Sequence, residues 1–233
     1  MIYLTTDIET SRFDLKDIPE EDQERIDEID DEKEKQQAID NLALNPFTSE
    51  IVCIGIKKIK NREHDKGYIL MNSKEKDIKL ENKGYKYVAL DEKKMLEKYW
   101  NYIRETQFNK FITFNGGGFD FPYMMIRSAY LGIKIEHIQL SPDWKVEEFH
   151  IDLMKQLRFN QWSGNGPLMT RKLDYYCKRF LGKTSKTDTV KGLFVSRLFK
   201  EGKIKEIADY CVDDCEIETE LYFHLKDLNL III

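Results

Sequence analysis

The stretch YLTTDIETSRF, residues 3–13, decides how the chain is read. With Ile2, Tyr3 and Leu4 it opens as a buried strand, and it then presents Asp7 and Glu9 two residues apart. Side chains along a strand alternate between faces, so these two carboxylates point the same way. Two negative charges aimed at one spot, where an apolar strand ends, mark either a solvated sheet edge or a metal site. The pair alone leaves both open, because D-x-E after an apolar run is common by chance.

Downstream of this strand the pattern alternates. The segment 14–40 carries 13 acidic and 4 basic residues, with Ile26, Ile29 and Ile39 as its scattered apolar positions, and reads as an exposed helical or partly disordered insertion. NPF at 45–47 ends it, and SEIVCIGIKKI at 49–59 reads as a second buried strand. GYILMN and YKYVAL follow as further strands. Met95, Leu96, Tyr99 and Ile103 recur at helical spacing behind Asp91, a suitable N-cap. KFITFN at 110–115 is a short strand running into three glycines and a helix that Gly132 closes. HIDLM is expected to be a last strand entering a helix, NQWSGNGPL at 160–168 a loop, and residues 172–225 mostly helical. Strands that precede helices in this way predict an α/β domain on a mixed sheet, occupying 1–233 as one unit with the acidic insertion inside it.

Bulk composition narrows the class. The chain has 233 residues, 41% hydrophobic and 34% charged, which suits a soluble globular protein. Its net charge of −5 belongs to the insertion, since the remainder holds 29 acids against 33 bases and leaves room for a phosphate-binding surface. No basic leader or long apolar span is evident, and Cys53, Cys177, Cys211 and Cys215 follow no disulfide spacing, so a cytoplasmic setting is expected. Cys211 and Cys215 share a helical face, and a soft-metal site completed by His224 is the lesser alternative to core packing. GKTS at 182–185 is no phosphate loop, because position 177, where that pattern needs glycine, is cysteine. The lysines at 183, 186, 191, 200, 203 and 205 serve either as phosphate contacts or as a solvated face.

Further carboxylates recur where a solvated role sits poorly. Asp120 follows Asn115, Gly116, Gly117, Gly118 and Phe119 at a strand–helix junction, where a helix cap competes with a ligand role. The glycines permit close approach of another chain or a ligand. Tyr210 and Asp214 lie one helical turn apart and share a face, with Asp209 and Asp213 beside them. Asp152 is read as a strand-end cap or supporting residue. Four converging carboxylates would repel one another unless cations joined them, and hard oxygen donors suit Mg2+ or Mn2+.

Taken in order, Asp7-Ile8-Glu9, Asn115-Gly-Gly-Gly-Phe119-Asp120 and Tyr210-Cys-Val-Asp-Asp214 resemble the signature of the DEDD 3′–5′ exonucleases. Tyrosine four residues before Asp214, with aspartate and not histidine at 209, is similar to the DEDDy branch, and the text around Asp120 looks like the proofreading domains of family B DNA polymerases in stand-alone form. The resemblance implies a ribonuclease H-like fold, with its mixed central sheet flanked by helices, and two divalent ions, Mg2+ or Mn2+. It implies that Asp7 bridges both ions, that Glu9 and Asp214 complete the shell of the first ion, and that Asp120 holds the second ion. Tyr210 would orient the attacking water, and Asn115 with the glycine turn would place the strand end. The implied substrate is a single-stranded nucleic-acid end, DNA favoured over RNA, and the product a nucleoside 5′-monophosphate. Phe119 and Trp162 are candidates to stack on unpaired bases, Phe119 being equally suited to the core. An RNase D-like enzyme on RNA and a non-catalytic binding module are the alternatives. The insertion either rims the site, docks a partner protein, repels duplexes or is simply solvated.

Overall fold

A computed structural model describes residues 1–74, 81–136, 149–157, 172–184 and 194–231. Trp162, Lys186, Lys191 and the expected loop at 160–168 lie outside the described residues. Among the described residues, seven strands form one sheet in the order β4-β5-β3-β2-β1-β6-β7. They are β1 (Ile2–Arg12), β2 (Ser49–Lys60), β3 (Glu63–Asn72), β4 (Glu81–Asn82), β5 (Tyr85–Leu90), β6 (Lys110–Thr113) and β7 (His150–Asp152). The described helices are α1 (Glu20–Asp27), α2 (Glu32–Asn41), α3 (Glu92–Glu105), α4 (Asp120–Tyr130), α5 (Leu153–Leu157), α6 (Leu173–Phe180), α7 (Val195–Lys200) and α8 (Ile204–Asp227).

The sheet is mixed, as its sequence pattern predicts. β1 pairs antiparallel with β2 and parallel with β6, and β6 pairs parallel with β7. The first strand does not stop at its carboxylates but continues to Arg12 along β2, with a register irregularity at Glu9/Thr10. Its pairing with β6 involves only Tyr3, Leu4 and Thr5. Asp7 and Glu9 therefore project past the carboxyl end of the neighbouring parallel strand, where open α/β sheets place their sites.

Apolar side chains cover both faces. Leu4, Ile8, Ile54 and Ile56 pack against Met95, Leu96, Tyr99 and Trp100 of α3 and Phe121 and Met124 of α4. On the other face Val52, Cys53, Ile69 and Met71 meet Ile207, Cys211 and Cys215 of α8. Ile231, from the apolar C-terminal run, is buried in a third cluster with Tyr222 and Leu225. A buried ion pair ties α4 to α3: Arg127 Nε donates to Glu92 Oε1 at 2.9 Å, and Arg127 Nη1 donates to Pro46 O at 2.9 Å. Glu92 Oε1 also accepts Ile51 N–H at 2.8 Å, so both members of the pair are hydrogen-bonded to the backbone as well as to each other.

The acidic insertion is more ordered than its composition suggests. Ile18, Ile26 and Leu42 form a small core of their own, joined by Phe13 and Ile39. Asp31 caps α2 by accepting from Lys33 N and Glu34 N at 2.9 Å. The hairpin is pinned to the sheet where it returns, Thr10 Oγ1 donating to Ala43 O at 2.6 Å and Thr48 Oγ1 to Leu42 O at 2.7 Å.

Candidate active site

Asp7 and Glu9 on β1 meet Asp214 on α8, with one carboxylate oxygen from each lying within 4.8 Å of the other two. Among the described residues, this is the group of acids, cysteines or histidines placed closely enough to hold a metal ion. The approach of α8 depends on Gly55, which sits opposite Asp7 in the β1–β2 register. A Cβ at Gly55 would lie 2.7 Å from Cys215 Sγ and 2.8 Å from Cys211 Sγ. A side chain there would collide with both thiols, so either they or the helix would have to shift. Thr5 Oγ1 and Thr219 Oγ1, 3.0 Å apart, tie the same helix to β1 one step further along.

Asp120 stands beside this trio and not inside it. It is the first residue of α4, with Phe119 at the N-cap position, and its Oδ1 accepts Ile8 N–H at 3.1 Å. Asp213 faces away and pairs with Lys83 at 2.6 Å, which leaves Asp214 as the helix's contribution to the cluster. Asp209 also faces away, accepting from Asn82 and Lys205 at 2.9 and 2.6 Å and from Tyr87. Tyr210 is half-buried on α8, one helical turn before Asp214.

The glycine turn after β6 is held from within. Asn115 adopts a left-handed backbone with φ of 71°, a conformation that asparagine tolerates better than most residues. A Cβ on Gly116 would lie 2.4 Å from Thr113 Oγ1, and one on Gly118 would lie 2.6 Å from Asn115 Oδ1. Gly116 and Gly118 thus permit close approach of the protein's own side chains, Thr113 and Asn115. Asp152, at the end of β7, organises the turn by accepting Asn115 N–H at 3.0 Å and Gly117 N–H at 3.2 Å. His150 lies behind it, its Nε2 2.7 Å from Thr113 Oγ1, and burial lowers its pKa to about 4, so it is a neutral support. Phe119 is half-buried with its ring 5.4 Å from Tyr123.

Burial and mutual repulsion raise the pKa of the whole group. Desolvation first, then the charges of Glu9, Asp120, Asp214 and Glu218, push Asp7 well above the ordinary carboxylate value. Glu9 is raised in the same way by burial, Asp214 and Asp120. Burial lifts Asp120 and Asp214 to about 7. Tyr210 is raised by burial and by the adjacent Asp214, so its phenol keeps its proton.

One acid in this region carries no motif. Glu218, one turn beyond Asp214 on α8, is 2% exposed. Its Oε1 accepts Phe114 N–H at 3.0 Å, which joins the helix to the residue before the glycine turn. Among the described residues its Oε2 has no hydrogen-bond partner, nor has the buried Oδ1 of Asp214. Orphaned buried carboxylate oxygens are costly, and here they lie in one acid cluster. The set is all oxygen, anionic and desolvated, and it fits hard divalent cations. The cysteines do not make a rival site: Cys53, Cys211 and Cys215 are fully buried, and His224 packs its ring against Phe180. Of the lysines considered for phosphate contact, Lys183, Lys200, Lys203 and Lys205 pair with Glu220, Asp14, Glu201 and Asp209.

Residues 59–227 match the family described as a predicted 3′–5′ exonuclease related to the exonuclease domain of PolB. The chain belongs to this family. Asp120, Tyr210 and Asp214 fall inside the matched span, and Asp7 and Glu9 precede it. Among relatives, DNA polymerase 1 of Pyrococcus abyssi is 27% identical over 150 residues, covering 59% of this chain. The chain spans 18% of the length of that polymerase. An uncharacterised protein of Methanocaldococcus jannaschii is 28% identical over 200 residues, covering 83% of this chain and 95% of its own length. An α/β mixed sheet flanked by helices is consistent with a ribonuclease H-like exonuclease fold. The described residues include no helix long and apolar enough to cross a membrane.

Proposed function

We propose that this member of the exonuclease family is a metal-dependent 3′–5′ exonuclease that removes nucleotides from single-stranded ends, DNA in preference to RNA, as nucleoside 5′-monophosphates. The observation that carries the reading is the convergence of Asp7, Glu9 and Asp214 within 4.8 Å, with a buried oxygen of Asp214 left unpartnered. The preference for DNA is supported by the likeness to a DNA polymerase.

Asp7, Glu9, Asp120 and Asp214 would hold two divalent ions, Mg2+ or Mn2+, which in such sites supply a nucleophilic water and stabilise the charge that develops on phosphorus oxygens. Tyr210, kept protonated by its surroundings and one helical turn from Asp214, would orient the water that attacks phosphorus. The bond from phosphorus to the 3′ oxygen of the preceding nucleotide breaks, that oxygen takes a proton, and the terminal nucleotide leaves with its 5′ phosphate. Asn115, Gly116 and Gly117, stiffened by Asp152, present the turn against which the strand end is positioned. Phe119 offers an aromatic surface at the same edge.

The test is a time course on 5′-labelled single-stranded DNA and its RNA counterpart with Mg2+, Mn2+ or EDTA, beside Asp7→Ala and Asp120→Ala. The expected result is a ladder that shortens from the 3′ end, faster on DNA, and is lost with EDTA and in both variants. Cleavage that survives either substitution would overturn the assignment.

A further inference from the structure

Both charged residues of α4, Asp120 and Arg127, are buried. The solvent face of the helix is Pro122, Met125, Ile126, Ala129 and Tyr130, with no charge among them. These positions follow the i, i+3, i+4, i+7, i+8 spacing of a stripe that ordinarily faces a core, while polar residues face water. Here the stripe itself faces water, with Tyr130 63% exposed. Phe47, 50% exposed, extends it, its ring 6.1 Å from that of Tyr130. Contiguous apolar surface of this kind marks a place where another molecule sits.

The charge next to the stripe narrows the occupant. The Arg127 guanidinium lies 5.0 Å from the Tyr130 ring and 5.7 Å from the Phe13 ring, and Phe13 packs on the small core of the acidic insertion. The stripe therefore runs into the insertion, where 13 acids stand against 4 bases over residues 14–40. Glu20, Glu21 and Glu24 of α1 are exposed, and among the described residues none of them has an ion-pair partner. Such a field draws cations in over about 8–10 Å and turns phosphates away, so nucleic acid fits this face poorly. Pro122 to Tyr130 is about 12 Å along the axis, at ~1.5 Å per residue, which matches two turns of a helix laid against it.

We propose that the outer face of α4, with Phe47 and the acidic insertion, is a docking surface for a basic amphipathic helix of a partner protein. The apolar side of that helix would cover Met125, Ile126 and Tyr130, and its lysines or arginines would meet the acids of α1. The two halves of the surface divide the work: charge steers the encounter and rejects acidic partners, and the uncharged stripe supplies the buried contact. This assigns a role to the insertion that the acid cluster does not require, and it stands apart from the exonuclease reading.

The probe is a peptide of about 18 residues, leucine and lysine patterned as an amphipathic helix, set against the same peptide with glutamate for lysine. Binding to the full chain in EDTA is read from the methyl signal of carbon-13-labelled Met125, assigned with Met125→Leu. Met71, buried on the opposite face of the sheet, is the internal control. The lysine peptide is expected to shift Met125 and not Met71, and to bind at least about tenfold tighter than the glutamate peptide. Ile126→Ser should weaken it about fivefold with its melting temperature and strand cleavage unchanged, and Tyr130→Ser about tenfold. Glu20→Gln, Glu21→Gln and Glu24→Gln together should narrow the preference for lysine over glutamate. Native affinity in both stripe variants, equal affinity for the two peptides, or an unchanged preference in the triple variant would overturn the proposal. So would a dimer that Tyr130→Ser dissolves in light scattering, which gives the face to a second copy. A Met125 shift on adding an oligothymidylate would overturn it as well, by giving the face to nucleic acid.

Discussion

Asp120 Oδ1 accepts the backbone N–H of Ile8 at 3.1 Å, so the first residue of α4 grips the peptide between Asp7 and Glu9. The bond separates two roles that one carboxylate performs. As an acceptor, Asp120 locks the spacing of the D-x-E pair. As a charge, it adds to a crowded anionic cluster.

These roles predict different outcomes for two substitutions. Asp120→Asn keeps an oxygen for Ile8 N–H and removes a buried charge, so the metal-free protein should be at least as stable as native. Cleavage should fall by about 100-fold or more, the scale on which removal of a charge-stabilising group acts. Asp120→Ala also orphans a buried N–H and should lose about 1–3 kcal/mol of stability. Urea unfolding and single-turnover cleavage of both variants measure the split. Equal stability of the two would show that the bond to Ile8 carries no weight.

Stability should depend on pH and metal together. Burial raises Asp120 and Asp214 to about 7 in the fold, against about 3.9 for an unperturbed aspartate. Both groups are protonated in either state below pH of about 4. As pH rises towards 7 the unfolded chain releases its protons first, so the metal-free fold loses stability through that window. A divalent cation bound by the ionised cluster offsets the repulsion. Calorimetry with and without Mn2+ should therefore show a larger gain in melting temperature at pH 8 than at pH 5. The same gain at both values would count against the cluster as the binding site.

Glu218 provides a third prediction. Glu218→Gln retains an acceptor for Phe114 N–H while replacing the orphaned Oε2 with an amide of similar shape. Loss of this charge should weaken Mn2+ binding by about tenfold, as for residues that support metal ligands, with the fold intact. Titration calorimetry with Mn2+ reads it directly. Native affinity in this variant would mean that Glu218 serves only to anchor the glycine turn.

Asp152 should matter to the turn more than to the metal. Its two oxygens accept from Asn115, Met154, Lys155 and Gly117 at 3.0–3.2 Å. Asp152→Ala strips several charge-assisted bonds and should cost about 3 kcal/mol. Asp152→Asn, which can keep Oδ1 in place, should recover part of that loss while binding single strands less tightly than native. A thermal melt with a strand-binding titration compares them. Full stability in Asp152→Ala would show that the turn holds itself.

Much of the site was legible because it is written in short periods. Asp7 and Glu9 share a face by strand alternation, and Tyr210 and Asp214 share one by helical spacing. Glycines after an apolar strand announced the junction at Asp120. Gly55 left a weaker signal, a glycine inside the apolar run IVCIGI, which marks close backbone approach without saying what approaches. Glu218 left none. An acid on a helix is most often solvated, and nothing in its neighbours shows that it is buried against Phe114. The exposed helices of the insertion were legible in its composition, but its small core was not, because Ile18, Ile26 and Leu42 are too far apart in sequence to advertise it.

The sequence by itself determined the strand and helix periods, the order of the acidic motifs and the choice of hard oxygen donors, because each depends on neighbours a few residues apart. Tertiary structure alone decided which carboxylates meet. Asp213 and Asp214 are adjacent, yet one pairs with Lys83 while the other joins Asp7 and Glu9. That choice follows from how α8 rolls onto the sheet over Gly55, a contact spanning more than 150 residues of chain. Local spacing sets the face on which a side chain lies, and only packing against a distant element sets what that face will touch.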